Sequence, residues 1–231
     1  WCHCGTGCRV MPMRAALWLV LATLAPLGWA EDAIVSTPLL TGQVPLKSWK
    51  TLRDERVVKQ DLDYSCGAAA LATLLSEYYR QPVSEAELLK AMDKGDGRAS
   101  FDDMQRALPA FGFKAQGFAA SYAQLARLKM PVVVYLKHRK DDHFSVLRGI
   151  DANTVWLADP SLGNRSYSRE QFLHMWETRN DDGEHAGLRG KFLAVLPLDA
   201  GKVAADNFFS KAPQRQTAAA VRQQLYRPLA N

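Results

Sequence analysis

One segment rich in alanine and leucine, residues 65–80 (SCGAAALATLLSEYYR), most constrains what this chain can fold into. Its apolar residues recur at helical spacing and Pro82 follows it, so the segment predicts a helix that begins at or beside Cys66. The alanines at 68–70 would let this end of the helix pack tightly against a sheet. The fold must therefore accommodate a closely packed helix with a cysteine in its first turn.

Serine capping motifs mark the start of further helices in the first half of the chain. Ser84 with Glu87 opens a predicted helix that ends near Met92, and Ser100 with Asp103 opens the next one. In each motif, the serine and the acidic side chain satisfy backbone N–H groups at the helix start. The first half of the chain is therefore predicted to be mainly helical.

β-branched and apolar runs dominate the second half of the chain. Three of them are separated by short turns and predict adjacent antiparallel strands, at 131–136, 143–150 and 154–159. Further strands are predicted at 113–118 and 191–196, and further helices at 121–129 and after the Ser168–Gln171 capping motif. Helices first and an antiparallel sheet second indicate an α+β fold, with the Cys66 helix packed on the sheet.

The first thirty residues have the layout of a secretory signal peptide. Arg14 precedes an apolar run over 15–27 and a small-residue ending at 28–30, so cleavage is expected before Glu31. The apolar run is too short to span a membrane comfortably and no later segment is long enough, so a membrane anchor is the less favoured interpretation. We expect a secreted protein whose mature chain has no stable membrane span.

Three of the four cysteines precede this signal peptide, in the group Cys2, His3, Cys4 and Cys8. Alone, the group would indicate a metal site or a disulfide knot. A signal peptide carries its charged region close to the chain start, so we interpret residues 1–10 as sequence upstream of a true start at Met11 or Met13. No metal or cofactor is expected. Cleavage would leave a single cysteine, Cys66, in the mature chain.

Composition and charge exclude several classes of protein. The chain has 231 residues, of which 48% are hydrophobic and 23% charged, which fits one globular domain and excludes a disordered or fibrous protein. Removing residues 1–30 takes away Arg9 and Arg14 and no acids. The 29 basic residues then become 27 against 24 acidic ones, a net charge of +3. This charge is too small to indicate nucleic-acid binding.

The mature chain is predicted to have three parts. An extended N-terminal arm covers 31–56, with a strand or short arm expected within 51–59, and the main domain covers 57–197. A tail over 198–231 contains a predicted amphipathic helix around Thr217–Tyr226. That tail could dock on the domain, bind a partner or remain mobile.

Cys66 has the position of a reactive thiol. In the first turn of a helix, unpaired backbone N–H groups and the helix dipole favour negative charge and so lower the thiol pKa. The thiolate is the attacking species in covalent catalysis by cysteine. Gly67, next to it, is expected to let a substrate backbone come close.

His143 is the predicted base that partners this thiol. It opens a strand, so its ring could face a cleft, whereas the remaining mature histidines are expected in a charged run, on a helix face and in a loop: His138, His174 and His185. If strands 143–150 and 154–159 form a hairpin, Asp159 lies beside His143 and orients its ring. Gln60 and the backbone N–H of Cys66 would then stabilise the oxyanion.

These residues resemble those of the bacterial papain-like peptidases that remove double-glycine leaders, known as N-terminal domains of bacteriocin exporters. The resemblance rests on Gln60-x5-Cys66-Gly67-x-Ala69, on the HFSVLRGI block at 143–150, and on Asp159-Pro160 with its downstream segment. It covers about residues 57–197. It implies a papain-like fold and the same roles for Gln60, Cys66, His143 and Asp159.

Two departures from the exporter domains bear on function. Ser65 stands where an acidic residue usually precedes the cysteine, and residues 198–231 carry no transporter domain, so we expect a stand-alone peptidase. Stand-alone secreted relatives include a type encoded with functional-amyloid fibre genes in pseudomonads. That resemblance implies a periplasmic peptidase whose partners are protein or peptide substrates, among them amyloid subunits or their export machinery.

Three alternatives remain open from the sequence. Cys66 could be a buried packing residue without chemistry. A transglutaminase-like acyl transferase also uses cysteine, histidine and aspartate in this order. A catalytically dormant module could grip a glycine-rich segment without cutting it.

Overall fold

A computed structural model describes residues 32–37, 40–45 and 47–213, apart from 96, 139–140, 181–182, 200 and 202–203. The chain divides into two compact units, residues 1–46 and 47–231. In the first unit, strands β1 (Asp32–Thr37) and β2 (Leu40–Pro45) pair in antiparallel fashion. The predicted signal peptide, the cysteine group upstream of it and the tail helix at 217–226 lie outside the described residues, and they stay predictions.

A six-stranded antiparallel sheet organises the second unit, with its strands in the order β3-β8-β4-β5-β6-β7. The strands are β3 (Phe113–Ala120), β4 (Val132–His138), β5 (Asp141–Ile150), β6 (Thr154–Asp159), β7 (Gly163–Ser168) and β8 (Gly190–Pro197). The predicted adjacency of β4, β5 and β6 is confirmed, because each pairs with the next.

Helices lie before the sheet and between its strands. They are α1 (Trp49–Asp54), α2 (Cys66–Thr73), α3 (Glu85–Met92), α4 (Phe101–Ala107), α5 (Tyr122–Leu125) and α6 (Arg169–Trp176). Complete capping boxes open α3, α4, α5 and α6. In the described part of the chain, no helix is long and apolar enough to cross a membrane. The predicted α+β class is confirmed.

The helix α2 is the centre of the fold, and every one of its residues is buried. Its small and apolar side chains allow contact on all sides, so it packs against β5 on one side and against α3 on another. Its only polar side chain beyond the thiol, Thr73, accepts the backbone N–H of Val58 at 2.9 Å. A π-helical turn over Leu74–Tyr78 continues α2, so the predicted helix at 65–80 is confirmed.

The sheet separates two hydrophobic clusters because successive side chains of a strand point to opposite faces. Val133, Val146 and Val195 face α2, α3 and α4 in one cluster. The other cluster contains strand residues such as Val134 and Leu147, which pack with α5 and α6. The strand β5, which carries His143, is therefore held from both sides.

The described part of the tail docks on this unit. Phe208 is buried, and its ring contacts the guanidinium groups of Arg148 at 4.7 Å and Arg56 at 5.0 Å. Ser210 forms a parallel β-bridge with Gly149 of β5. Its N–H donates to the Arg148 carbonyl, and its carbonyl accepts the Ile150 N–H. Residues 204–213 therefore dock on the domain, which is one of the three outcomes that the sequence left open for the tail.

The structure differs from the sequence-based expectation in two places. Residues 49–54 were assigned to an extended arm but form α1, because the Ser48 hydroxyl accepts the Thr51 N–H and opens a helix. The strand β7 was not predicted at all, because GNRSYS lacks apolar alternation. Backbone pairing with β6 holds β7 in an extended conformation instead. As the last strand of the sheet, β7 needs only one partner strand.

Candidate active site

Cys66 is the first residue of α2 and is buried, with a relative solvent exposure of 4%. Ser65 precedes the helix but does not cap it, because its hydroxyl donates to the Leu62 carbonyl at 2.7 Å instead. The backbone N–H groups of Phe144 and Gly67 act to lower the pKa of the Cys66 thiol. Backbone N–H groups at the start of α2 and in the neighbouring strand β5 therefore both favour the thiolate form of Cys66.

The register of β5 and β6 brings His143 to Asp159. Val146 pairs with Ala158, so Asp159 stands opposite Ser145 and diagonally next to His143 on the same face. The His143 Nε2 lies 2.8 Å from Asp159 Oδ2. Since Nε2 is engaged by the carboxylate, Nδ1 is the ring nitrogen left for the hydrogen bond between His143 and Cys66.

The turn after β6 fixes the Asp159 carboxylate. Its second oxygen, Oδ1, accepts the backbone N–H groups of Ser161 and Leu162, each at 2.9 Å. Burial acts against the charged form, but the His143 contact and these two N–H donors outweigh it and lower the Asp159 pKa. The carboxylate therefore stays ionised beside the imidazole at neutral pH.

The thiol and the imidazole shift each other toward their charged forms. For Cys66, burial alone would raise the pKa, but the His143 hydrogen bond and charge, with the two backbone donors, lower it overall. For His143, burial alone would lower the pKa, but Asp159 and Cys66 raise it to about 9. The pair therefore favours a thiolate next to an imidazolium near neutral pH.

Gln60 ties the loop before Cys66 to the loop after Asp159. Its side-chain Oε1 accepts the Ser161 hydroxyl at 2.6 Å and its Nε2 donates to the Leu62 carbonyl at 2.8 Å. Its backbone N–H donates to the Pro160 carbonyl at 3.1 Å. The amide carries a second Nε2 hydrogen, and Gln60 lines the same cavity as His143 and Asp159. Its role as an oxyanion donor stays a prediction.

Gly67 does not present an open surface to a substrate. A Cβ at this position would collide with Met104 Cε and would touch Ala99 and Phe144 at 3.4 Å. The prediction that Gly67 admits a substrate backbone is therefore corrected: its small size makes room for the buried Met104 side chain. The signal in the sequence, a glycine after the cysteine, indicates packing here.

His174 and His185 lie away from this arrangement. His174 and His185 are exposed, on α6 and in the loop before β8, and His138 belongs to the end of β4. The structure thus brings together Cys66, His143 and Asp159, with Gln60 adjacent.

Sequence reasoning missed the residues that line the cleft beside the thiol, namely Arg98, Phe101, Tyr135, Asp142, Phe144 and Lys191. They come from the loop before α4, from the first residue of α4, and from β4, β5 and β8. The positions of Asp142 and Phe144 follow from their places on either side of His143, but nothing in the sequence spacing brings the others to Cys66.

Comparison with known proteins agrees with this geometry. A sequence profile described as the peptidase C39 family matches residues 54–179, more than half of the chain. The chain belongs to the peptidase C39 family. It is a cysteine peptidase, a hydrolase, as the sequence predicted.

Curated relatives and a solved structure support this membership. The chain is 36% identical over 174 residues to a probable functional amyloid protease FapD of Pseudomonas fluorescens, covering 71% of this chain and 76% of the relative. It is 34% identical to the corresponding protein of Pseudomonas aeruginosa, covering 63% and 70%. The peptidase domain of Streptococcus ComA shares the fold, with a TM-score of 0.50 at 22% identity over 61% of this chain and 97% of that domain.

Proposed function

We propose that this C39 peptidase cleaves its substrate through attack of the Cys66 thiolate on a peptide carbonyl. The observation that carries the proposal is the 2.8 Å contact of His143 Nε2 with Asp159 Oδ2, together with the interaction of His143 with Cys66, which lowers the Cys66 pKa and raises the His143 pKa. A thiolate and imidazolium pair already holds the nucleophile and the acid that the first step requires.

The reaction follows from these positions in two steps. The Cys66 sulfur attacks the carbonyl carbon, and the Cys66 N–H with the Gln60 amide receives the developing oxyanion. His143 gives its proton to the departing amine, which leaves an acyl thioester on Cys66. The neutral His143 then takes a proton from water, whose oxygen attacks the thioester and releases the acid and the thiol. Asp159 keeps the ring oriented and stabilises its charge in both steps.

We further propose that the substrate is a secreted protein cut after a small-residue or double-glycine motif in the periplasm. The predicted signal peptide supports secretion. The two pseudomonad relatives carry a functional-amyloid protease description, which makes amyloid subunits or their export machinery the first substrates to test.

The test compares the termini of secreted and periplasmic proteins in cells that carry the wild type or Cys66→Ala. We expect at least one protein to end after a small-residue motif only in the wild type. Identical sets of termini would count against processing and leave the binding module as the better account. Purified candidate amyloid subunits, incubated with each variant, then identify the cut directly.

A further inference from the structure

The cleft around the catalytic residues consists of two cavities that meet at Arg98 and Asp142. One cavity, of about 380 Å³, opens beside Cys66, and another, of about 500 Å³, opens beside His143 and Asp159. Arg98 and Asp142 line both, and Arg98 Nη1 donates to the Asp142 carbonyl at 3.0 Å. A peptide that reaches both Cys66 and His143 must therefore extend into both cavities.

The cavity beside Cys66 combines an aromatic wall with an excess of positive charge. Phe144 lies 5.3 Å from Phe101 and 5.6 Å from Tyr135, measured between ring centroids. Apart from the Cys66 thiolate, whose charge is balanced by the His143 imidazolium, the charged side chains that line it among the described residues are two cations, Arg98 and Lys191, and one anion, Asp142. This cavity suits an apolar segment that carries negative charge.

Among the described residues, Lys191 is the cation of this cavity that has no carboxylate as an ion-pair partner. Its Nζ lies 5.0 Å from the Tyr135 ring centroid, and among the described residues it forms no ion pair. The nearby Asp142 carboxylate accepts the Tyr135 hydroxyl at 2.5 Å. Arg98 has only a loose ion pair, at 3.6 Å, with Asp141, whose side chain is 76% exposed. Both cations can therefore accept an anionic partner from outside the chain.

The cavity beside His143 has the opposite charge. Among the described residues, its lining contains four aspartates against one cation, Arg98, and the catalytic imidazole, and these aspartates are Asp63, Asp141, Asp142 and Asp159. The direction of the substrate follows from the chemistry, because His143 protonates the leaving amine while Cys66 holds the acyl group. The positive cavity therefore receives the part of the substrate before the scissile bond.

We propose that Lys191 and Arg98 form a specificity site for an acidic side chain located within a few residues before the scissile bond. The proposal rests on the proposed peptidase function of Cys66. Opposite charge across a partly desolvated cavity favours the ionised carboxylate over the neutral amide of the same shape. A glutamate in the substrate would pair with Lys191 and replace Asp141 on Arg98.

The test uses candidate substrate peptides with a double-glycine bond, each carrying a single glutamate, glutamine or lysine at one of the four positions before the two glycines. At one position we expect kcat/KM for glutamate to exceed that for glutamine roughly fivefold, as for a partly exposed ion pair. The preference should decrease as salt is raised. Lys191→Gln should remove most of it, and Lys191→Glu should make lysine the preferred residue at that position.

Lys114→Gln is the matched control, because Lys114 is an exposed lysine of the same sheet that lines neither cavity. It should leave the preference unchanged. Arg98→Gln provides a second variant if Lys191→Glu does not fold, and it should reduce the preference as well. Equal cleavage of glutamate and glutamine peptides at all four positions would overturn the proposal.

Failure of the proposed function gives a different result. If the wild type cleaves none of the peptides, binding of the same peptides to Cys66→Ala, measured by calorimetry, still reports the charge preference. Tighter binding of the glutamate peptides to this variant, lost in Cys66→Ala with Lys191→Gln, would support the specificity site. Equal binding of glutamate and glutamine peptides would overturn it.

Discussion

Replacing Asp159 by asparagine removes the charge that holds the His143 imidazolium and leaves most of the local geometry in place. An asparagine Oδ1 can still accept the Ser161 and Leu162 N–H groups that the aspartate accepts at 2.9 Å. The turn after β6 should therefore survive the change. What is lost is the 2.8 Å contact between a carboxylate and the His143 Nε2.

The expected size of the effect follows from the burial of this contact. The Asp159 side chain is 3% exposed and that of His143 is 19% exposed, so the charges are little screened by water. A hydrogen bond between charged groups contributes about 1.5–3 kcal/mol. One pKa unit corresponds to about 1.4 kcal/mol. The His143 pKa, raised to about 9 in the wild type, should therefore fall by roughly one to two pH units.

Alkylation by iodoacetate measures this change, because the anionic reagent reacts with the Cys66 thiolate and is attracted by the His143 imidazolium. The wild-type rate should rise as Cys66 loses its proton and fall again near pH 9 as His143 loses its own. In Asp159→Asn the fall of the alkylation rate at high pH, the upper limb of the pH profile, should lie at roughly pH 7 to 8. Peptide mapping separates Cys66 from the three N-terminal cysteines, and neutral iodoacetamide should show a much weaker upper limb.

An upper limb that stays near pH 9 in Asp159→Asn would refute the role of this carboxylate. Asp206→Asn is the matched control, because Asp206 is an exposed aspartate of the described tail. It should give the wild-type profile. A wild-type rate that rises only above the ordinary range of a free thiol would show that Cys66 is not activated.

Three further substitutions test other parts of the site and fold. Gln60→Ala should lower kcat for peptide cleavage roughly a hundredfold, because an oxyanion donor is lost, and should change the Cys66 alkylation rate little. Equal losses in both assays would show that Gln60 has a purely structural role. Phe208→Ala should lower the free energy of unfolding by about 3–5 kcal/mol in a urea titration, because the ring is buried against two arginines. Gly163→Ala should lower the melting temperature by several degrees, because Gly163 has φ +77° and a Cβ would lie 2.5 Å from the Arg53 carbonyl oxygen; an unchanged melting temperature would contradict that contact.

Local signals predicted much of the fold. The capping boxes at Ser84, Ser100 and Ser168 act within four residues, so the sequence alone indicates where those helices begin. The β-branched runs of the second half similarly indicate strands. The hairpin argument placed Asp159 beside His143 because the register of two adjacent strands follows from a short turn.

Features that depend on tertiary neighbours could not be predicted in this way. The strand β7 is ordered by β6 and not by its own polar sequence. Gly67 makes room for Met104, which lies 37 positions later and reaches it only in the folded chain. The positive cavity combines Arg98 from a loop with Lys191 from β8, and no spacing in the sequence joins them.

The catalytic role of Cys66 is tested most directly by trapping the acyl-enzyme. The wild type is mixed with a peptide that spans a double-glycine bond of a candidate amyloid subunit, and the mixture is quenched in acid and analysed by intact mass and peptide mapping. We expect a mass increase equal to the fragment before the scissile bond, located on Cys66, together with release of the amine fragment. Cys66→Ala should show neither. Cleavage that persists in Cys66→Ala would contradict the catalytic role of Cys66.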